Sequence, residues 1–560
     1  MISDMGLCTP KSLLASEEAK GKWRLIPYEA DGVTGKMICA ASYITVPEIN
    51  LPLKVAGWYS VYVGYWNPYY AYDGGVTVKA RLSGDKAFFR FREDDVCRGF
   101  GAEYICEVFF KHADLTGEDL IIGKVNGPLA QKCYVAYVKL VPLTPAQVEE
   151  IKADRARKDT RSLVATIDGM SYFWSNEYRT REQLLELVER YRYSDVGKVL
   201  LAVNSGDIVW YPGSKLGRMF SGEDSRTRLV DAAQSMPSPY VRSEKVMRDS
   251  LRDLASRKVD VQNTIAEHTH SMGLKFDVMF RLGMSGHLPP CMSDKSFVVL
   301  HPEFRQVTKD GTAVEKASYA FPEVREFMLG LIREATERFD ADGINLCFTR
   351  GPHFLLYEQP VVETFRAKYG EDARAVDPAD PRLSAVKVGF MTDFVSQARR
   401  ALDEVGKKKG RRLELSVWVW PSNKNVWLGK TPVEEGLDVK AWIQKGLLDS
   451  VICQEGIDQE YIRLGREKNC KFIYFSGYRG EQAMSPKNVR AGHEAGVDGF
   501  AYWDMDSVTD NPATWEWLSR IGHVDEMKQF KDKKPALIQL RTIGGYDCMQ
   551  GLEAAVYSGG

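Results

Sequence analysis

Long hydrophobic segments and an excess of charge of one sign are both missing from this sequence. No uncharged apolar run approaches the roughly 18 residues of a membrane-spanning helix, which excludes an integral helical membrane protein. Lysine and arginine number 75, and aspartate and glutamate number 76, for a net charge of −1. Proteins that bind nucleic acid or anionic membrane surfaces usually carry a basic excess, so the sequence predicts neither partner.

Motifs for metal, nucleotide and serine-hydrolase chemistry are also absent. The ten cysteines form no Cys-x-x-Cys pair, and the eight histidines include no His-Glu-x-x-His motif. There is no phosphate-binding loop, no Gly-x-Gly-x-x-Gly entering a helix, and no Gly-x-Ser-x-Gly. The sequence therefore predicts no metal ion and no cofactor.

The N-terminus, MISDMGLCTPKSLL, has no basic segment followed by an apolar one, so no secretory leader is expected. A protein that works outside the cytoplasm and has lost its leader would begin in the same way. The compartment therefore stays open.

The composition is that of a globular protein, with 44% hydrophobic and 27% charged residues. The chain shows two successive patterns of apolar and polar residues. After a polar extension, residues 1–22, residues 23–143 hold short alternating runs rich in β-branched and aromatic residues. This spacing predicts an all-β sandwich domain. The charged amphipathic segment 144–159 predicts a helical connector.

In the second pattern, over residues 160–523, apolar strand-like runs alternate with helical segments. The eight runs are 162–174, 198–211, 274–283, 341–352, 412–422, 447–456, 470–480 and 497–507. Eight strands joined by helical crossovers predict an α/β fold, a (β/α)₈ TIM barrel that follows the sandwich. The tail, 524–560, holds two further strand-like pieces that either extend the sandwich or cap the barrel.

In such a barrel the active site lies where the strands end, so polar residues after each run are site candidates. Glu455 follows the sixth run, and Asp504 and Asp506 follow the eighth on one strand face. Two carboxylates on one face raise one pKa, which suits a general acid. Structural alternatives stay open, because Glu455 could pair with Arg479 and Asp506 could cap the following helix.

The loop after the fourth run supplies two more candidates. Arg350 could clamp a sugar hydroxyl or a carboxylate, or order the loop by an ion pair, and Glu358 is a third candidate catalytic carboxylate. Flat aromatic rings and polar groups suit sugar rings, so further strand-end residues are predicted to bind substrate. With Arg350 and Asp506, these are Asp168, Asn204, Trp418, Trp420, Tyr478 and Trp503.

Three stretches of the barrel half resemble the glycosyl hydrolase-like 10 group of bacterial TIM-barrel proteins. The first is residues 266–276, a helix end and glycine that lead into the third run. The second is His301-Pro-Glu-Phe with Lys309-Asp-Gly, and the third is Asp342-Gly-Ile with Arg350-Gly-Pro. The resemblance covers roughly residues 160–520. It implies a TIM-barrel enzyme that acts on glycans, such as cell-wall polysaccharide.

One position departs from the group. Where its fourth strand carries an aspartate, this sequence has Cys347. Either another acid has taken over the role, or hydrolysis has been lost or altered.

The sequence therefore predicts a glycoside hydrolase that cleaves O-glycosidic bonds of a poly- or oligosaccharide, its carbohydrate partner. Glu455 is expected as nucleophile or base and Asp504 as acid. Two alternatives stay open: a non-catalytic glycan-binding barrel, which Cys347 favours, and a sugar lyase or isomerase on the same fold. Sugar identity, stereochemical course and oligomeric state are not predicted.

Overall fold

The structure, a computed structural model, describes most of the 560 residues. The described ranges are 1–66, 76–92, 104–126, 131–169, 172–173, 178–219, 239–285, 296–423, 429–477, 483–531 and 536–548. Tyr478, Arg479 and the last strand-like piece of the tail, near residues 552–560, lie outside these ranges.

Two β-sheets form the N-terminal part. Their strands are β1 (Leu14–Ala15), β2 (Trp23–Ala30), β3 (Val33–Ala40), β4 (Ile49–Pro52), β5 (Trp58–Trp66), β6 (Thr77–Leu82), β7 (Phe89–Arg92), β8 (Tyr104–Asp114), β9 (Asp119–Gly123) and β10 (Cys133–Pro142). The larger sheet has the order β1-β2-β3-β10-β5-β8, and the smaller one β4-β9-β6-β7. Val61 and Val63 of the larger sheet share a buried core with Leu51, Val78 and Ile122 of the smaller sheet, which makes the pair a sandwich.

Helix α1 (Pro145–Ala156) connects the sandwich to the second part. Thr144 caps its first turn, because its hydroxyl accepts from the Gln147 N–H while the Gln147 side chain accepts from the Thr144 N–H.

The second part is built on eight parallel strands and short accessory strands. The strands are β11 (Leu163–Ile167), β12 (Val196–Ser205), β13 (Ile208–Val209), β14 (Arg218–Met219), β15 (Lys275–Arg281), β16 (Arg305–Val307), β17 (Ala313–Ala317), β18 (Gly343–Cys347), β19 (Glu414–Val419), β20 (Ser450–Gln454), β21 (Lys471–Phe475) and β22 (Gly499–Tyr502). The sheet order is β11-β22-β21-β20-β19-β18-β15-β12, and β12 pairs again with β11. The eight strands therefore close into a barrel, and the predicted fold class is confirmed.

Helices surround these strands. They are α2 (Arg181–Leu185), α3 (Pro239–Ser256), α4 (Val261–Ser271), α5 (Phe297–Leu300), α6 (Pro322–Arg338), α7 (Gln359–Tyr369), α8 (Pro381–Lys409), α9 (Val439–Gln444), α10 (Gln459–Lys468), α11 (Pro486–Ala495), α12 (Pro512–Leu518) and α13 (Val524–Gln529). Helices α7, α8 and α11 each end at a glycine with positive φ, which satisfies the last carbonyls of the helix. No helix in the described part of the chain combines the length and the apolar character that crossing a membrane requires.

The C-terminal tail returns to the sandwich. Strand β23 (Ala536–Ile543) pairs antiparallel with β2 and β8, and β24 (Tyr546–Asp547) pairs with β23. The first tail piece thus extends the larger sheet.

Candidate active site

Two acidic residues meet at the carboxyl ends of neighbouring barrel strands. Asp168 follows β11, and Asp504 follows β22, which pairs with β11 in parallel. Burial and the negative charge of Asp168 raise the pKa of Asp504 to about 7, against the opposing effect of Arg281 and Arg350. A carboxyl group with this pKa is partly protonated near neutral pH, so it can donate a proton.

Asp506 lies beside this pair. Burial and the charges of Asp504 and Asp168 raise its pKa well above the usual range, which favours the neutral carboxyl form. The alternative role that the sequence left open, capping the next helix, falls to another residue. The Asn511 side chain accepts from the Thr514 N–H at 2.9 Å and caps α12.

Two arginines flank the acids. Arg281, the last residue of β15, forms an ion pair with Asp168, and its guanidinium lies 5.6 Å from the Trp503 ring centre. The guanidinium of Arg350 lies 4.6 Å from the same ring, and Arg350 is exposed. The Trp503 ring therefore contacts both guanidinium groups, and their positive charges act on Asp504.

Arg281 was recognisable in the sequence as a strand-end residue, but it was not predicted to be catalytic or to bind substrate. Its only signal in the sequence was its place at the end of the third strand-like run. Its partner lies 113 residues away, so the ion pair itself left no local pattern.

Asn204 supports Arg281. The Asn204 Oδ1 atom accepts from the Arg281 N–H at 3.0 Å, and its Nδ2 donates to the Gly206 carbonyl at 2.8 Å. The side chain is fully buried. These contacts hold the ends of β12 and β15 together.

Tryptophans form the floor of the site. Trp418 and Trp503 are buried and meet edge to face, with ring centres 4.9 Å apart, and Trp420 is buried at the end of β19. In this arrangement the rings support the charged groups rather than presenting an open face.

Glu455 is held by a chain of hydrogen bonds from the floor. Trp418 Nε1 donates to Gln454 Oε1, and Gln454 Nε2 donates to Glu455 Oε1, both at 3.1 Å. Glu455 and Asp504 also share a left-handed backbone, with φ of 62° and 51°. Non-glycine residues take this conformation at a cost of about 1 kcal/mol or more, and it concentrates at functional sites.

Glu358 has a different setting. Its carboxylate is fully buried and accepts from the N–H groups of Leu356 at 2.9 Å and Val307 at 3.1 Å. It is also the residue that precedes α7. These bonds hold the loop after β18 against β16.

Cys347 ends β18 inside the same region. Its buried thiol lies 3.6 Å from the Thr349 hydroxyl, and burial raises its pKa. The positive charges of Arg281 and Arg350 oppose this shift, which places both arginines near the sulfur. Strand β18 thus brings a neutral thiol to the site instead of a carboxylate.

Several buried polar atoms of the site have no hydrogen-bond partner among the residues that the structure describes. They are Asp168 Oδ1, Arg281 Nε, Trp503 Nε1 and Asp506 Oδ1. Buried polar atoms are nearly always paired, so four such atoms in one place are typical of a site that binds a polar ligand or water. Within the described ranges, no group of three or more His, Cys, Asp or Glu side chains is arranged to hold a metal ion.

Comparison with known proteins gives one family match and remote structural likenesses. The family model of glycosyl hydrolase-like 10 matches residues 230–460. The glycoside hydrolase domain of PgaB (BpsB) from Bordetella bronchiseptica is 13% identical, with a TM-score of 0.39 over 62% of this chain and 95% of that chain. For α-L-fucosidase isoenzyme 2 from Paenibacillus thiaminolyticus the identity is 11% and the TM-score 0.40, over 66% and 50%. No curated protein matches the chain in sequence.

The matched region contains four of the eight barrel strands, β15, β18, β19 and β20, together with Arg350, Cys347 and Glu455. Asp168 and Asp504 lie outside it. The resemblance of the barrel to the glycosyl hydrolase-like 10 proteins, which the sequence motifs indicated, is thereby confirmed over residues 230–460.

Proposed function

We propose that the protein is a glycoside hydrolase that cleaves O-glycosidic bonds of an oligo- or polysaccharide at the mouth of its barrel. The observation that carries the proposal is the Asp504 carboxyl group, half-buried beside Asp168 and facing two arginines. A glycosidase needs one carboxyl group that is protonated at working pH and one that is ionised. The family match over residues 230–460 supports the same class of reaction.

Asp504 is the proposed general acid. Its raised pKa keeps a protonated fraction at neutral pH, and that proton would pass to the glycosidic oxygen as the bond breaks. The neighbouring arginines would stabilise the carboxylate that results. Arg350, which is exposed, would also contact substrate hydroxyls.

Glu455 is the proposed second carboxylate of the pair, as nucleophile or base. The Gln454 amide donates to its Oε1 and fixes its orientation, and the left-handed backbone directs the residue away from the strand. Asp168 is the rival for this role, because it forms an ion pair with Arg281.

The test is release of reducing ends from a panel of polysaccharides and aryl glycosides, with Asp504→Asn and Glu455→Gln beside the unchanged protein. Loss of a general acid is expected to lower kcat/KM by about 10²–10⁴-fold on natural linkages. The loss should be much smaller on aryl glycosides, whose leaving groups need little protonation. Glu455→Gln should abolish turnover of both kinds of substrate.

Glu494→Gln is the matched control, since Glu494 is exposed on α11. It should leave all rates unchanged. Full activity of Asp504→Asn on natural linkages contradicts the acid assignment, and activity of Glu455→Gln transfers the second role to Asp168.

Cys347 favours one second candidate, a glycan-binding barrel without turnover. Because β18 supplies a thiol where the family has an aspartate, one carboxylate of the expected set is missing. Binding of a polysaccharide from the same panel without release of reducing ends would establish this function instead.

A further inference from the structure

A second concave site lies between the sandwich and the barrel, apart from the mouth. It is a pocket of about 440 Å³, within the size range of small-molecule sites. The smaller sheet and its loops form one wall with Lys79, Arg90 and Lys124. Helix α2 and the residue pair before it form the other wall, with Gln183 and Arg179.

The lining carries an excess of positive charge. Four cationic side chains, Lys79, Arg90, Lys124 and Arg179, face one carboxylate of the lining, Glu48. Glu48 is exposed and lies 3.5 Å from Arg81.

The Asp510 carboxylate acts on Arg90, and Glu186 provides further negative charge nearby. Glu186 bonds to Lys79 at 2.7 Å and to Arg90 at 2.6 Å, so it balances part of the charge of that wall. Lys124 brings a further positive charge to the lining.

Lys124 is a buried cation of this lining. It is 5% exposed, and its ammonium donates to the backbone carbonyls of Ser42 at 3.2 Å and Val125 at 3.3 Å. Within the described ranges no carboxylate lies within ion-pair distance of it. Burial lowers its pKa to about 8, the expected response of a cation that has lost water and gained no counter-charge.

We propose that this pocket binds a small oxyanion, a carboxylate or a sulfate, which supplies the counter-charge that Lys124 lacks. Charge-assisted hydrogen bonds from buried cations are the strong ones, and a mixed set of lysine and arginine side chains suits such a group. The proposal is independent of catalysis at the mouth.

Aromatic residues lie between the pocket and the mouth of the barrel. The Arg90 guanidinium lies 5.0 Å from the Tyr178 ring centre, and Tyr178 packs against Tyr172 at 5.8 Å. The charges of Asp168 and Asp506 act on Tyr172. The oxyanion could belong to a charged saccharide or be a free anion.

The test is calorimetric titration of the full chain with sodium sulfate, methyl glucuronide and neutral methyl glucoside. The unchanged protein should bind at least one of the two anions, and Lys124→Met should weaken that binding by about tenfold or more. Lys445→Met, at an exposed lysine of the barrel, is the control and should bind as the unchanged protein does. Tighter binding of the glucuronide identifies a sugar-borne group, and equal or tighter binding of sulfate identifies a free anion.

The pH dependence gives a second measurement that needs no variant. Anion binding should weaken between pH 7 and 9 as Lys124 loses its proton. Cys133, whose charge would act on Lys124, keeps its thiol proton in that range because burial raises its pKa to about 12. Lys79 stays paired with Glu186, and Arg90 and Arg179 stay charged.

Three results would overturn the proposal. They are no binding of either anion at about 20 mM, equal binding by Lys124→Met, and neutral methyl glucoside bound as tightly as the anions. Hydrolysis is not measured here, so failure of the hydrolase proposal would leave these outcomes unaffected.

Discussion

At the scale of single residues, the charge state of Asp504 decides what the mouth can do. Burial and Asp168 raise its pKa to about 7, while Arg281 and Arg350 lower it. A general acid works only while protonated, so kcat/KM should fall as the pH rises through about 7.

Two variants should shift the pH at which kcat/KM falls, and in opposite directions. Asp168→Asn removes a negative charge, which lowers the pKa of Asp504 and moves the fall to lower pH. Arg350→Met removes a positive charge, which raises that pKa and moves the fall to higher pH. The measurement is a pH profile of kcat/KM on one natural linkage. A fall that stays in place in both variants means that another group supplies the proton.

Residue types at strand ends were enough to predict that Asp168, Asp504 and Arg350 lie near one another, because barrel geometry places such residues at one mouth. The sequence did not reveal the task of Glu358, since its bonds to Val307 and Leu356 depend on how a loop folds back. Burial of the tryptophans also depends on tertiary packing. Catalytic roles for Glu455, Asp504 and Glu358 remain predictions.

At the scale of elements, the barrel strands were predictable because each is an apolar run bounded by polar turns. Strands β15, β18, β19, β20, β21 and β22 all lie within their predicted runs, and β12 begins two residues before its run. Strands buried on both faces show this continuous apolar pattern. Buried polar residues inside the strands, such as Asp277, Asn345 and Ser416, interrupt this pattern.

Apolar residues at helical spacing over 180–193 predict a single helix, and the structure departs from this prediction. Only α2 is α-helical there, and a single 3₁₀ turn follows at Glu189–Tyr191. Glu189 is buried and bonds to His268 at 2.5 Å and to Arg192 at 2.7 Å. A contact with a residue 79 positions away therefore overrides the helical periodicity of the segment.

His523 fastens the connector helix α1 to the barrel. Its ring nitrogens lie 2.8 Å from Asp154 of α1 and 2.8 Å from Asp195. Burial opposes the charge, but the two carboxylates raise the pKa of His523 overall. A raised pKa in the folded state stabilises the protein fully below the unfolded value near 6.5, and the effect is lost as the pH rises through the folded value.

His523→Gln should therefore lower the free energy of unfolding by about 1–2 kcal/mol at pH 6 and by less at pH 8.5. Denaturant unfolding at the two pH values measures the difference. His301→Gln is the control, because His301 pairs with Glu303 on an exposed loop. An equal loss at both pH values would show that shape rather than charge holds the helix.

At the scale of the whole molecule, buried charge joins the sandwich to the barrel. Glu186, just after α2, bonds to Lys79 of β6 and Arg90 of β7. Nearby, the Arg92 N–H donates to the Asp510 carbonyl at 2.8 Å. Sequence alone could not predict this junction, because its partners lie about a hundred or more residues apart.

Removing the carboxylate at this junction tests both the stability of the junction and the proposed anion pocket. Glu186→Gln leaves Lys79 and Arg90 buried without their counter-charge, which should cost about 3–5 kcal/mol of unfolding free energy. Calorimetry should show a lower Tm, whereas Glu182→Gln, at an exposed position of α2, should not. Because a bound oxyanion supplies negative charge to the same lysine and arginine, sulfate should raise the Tm of Glu186→Gln more than that of the unchanged protein. A rise in Tm that is equal in all three proteins would mean that sulfate acts as a general stabilising salt and not in the pocket.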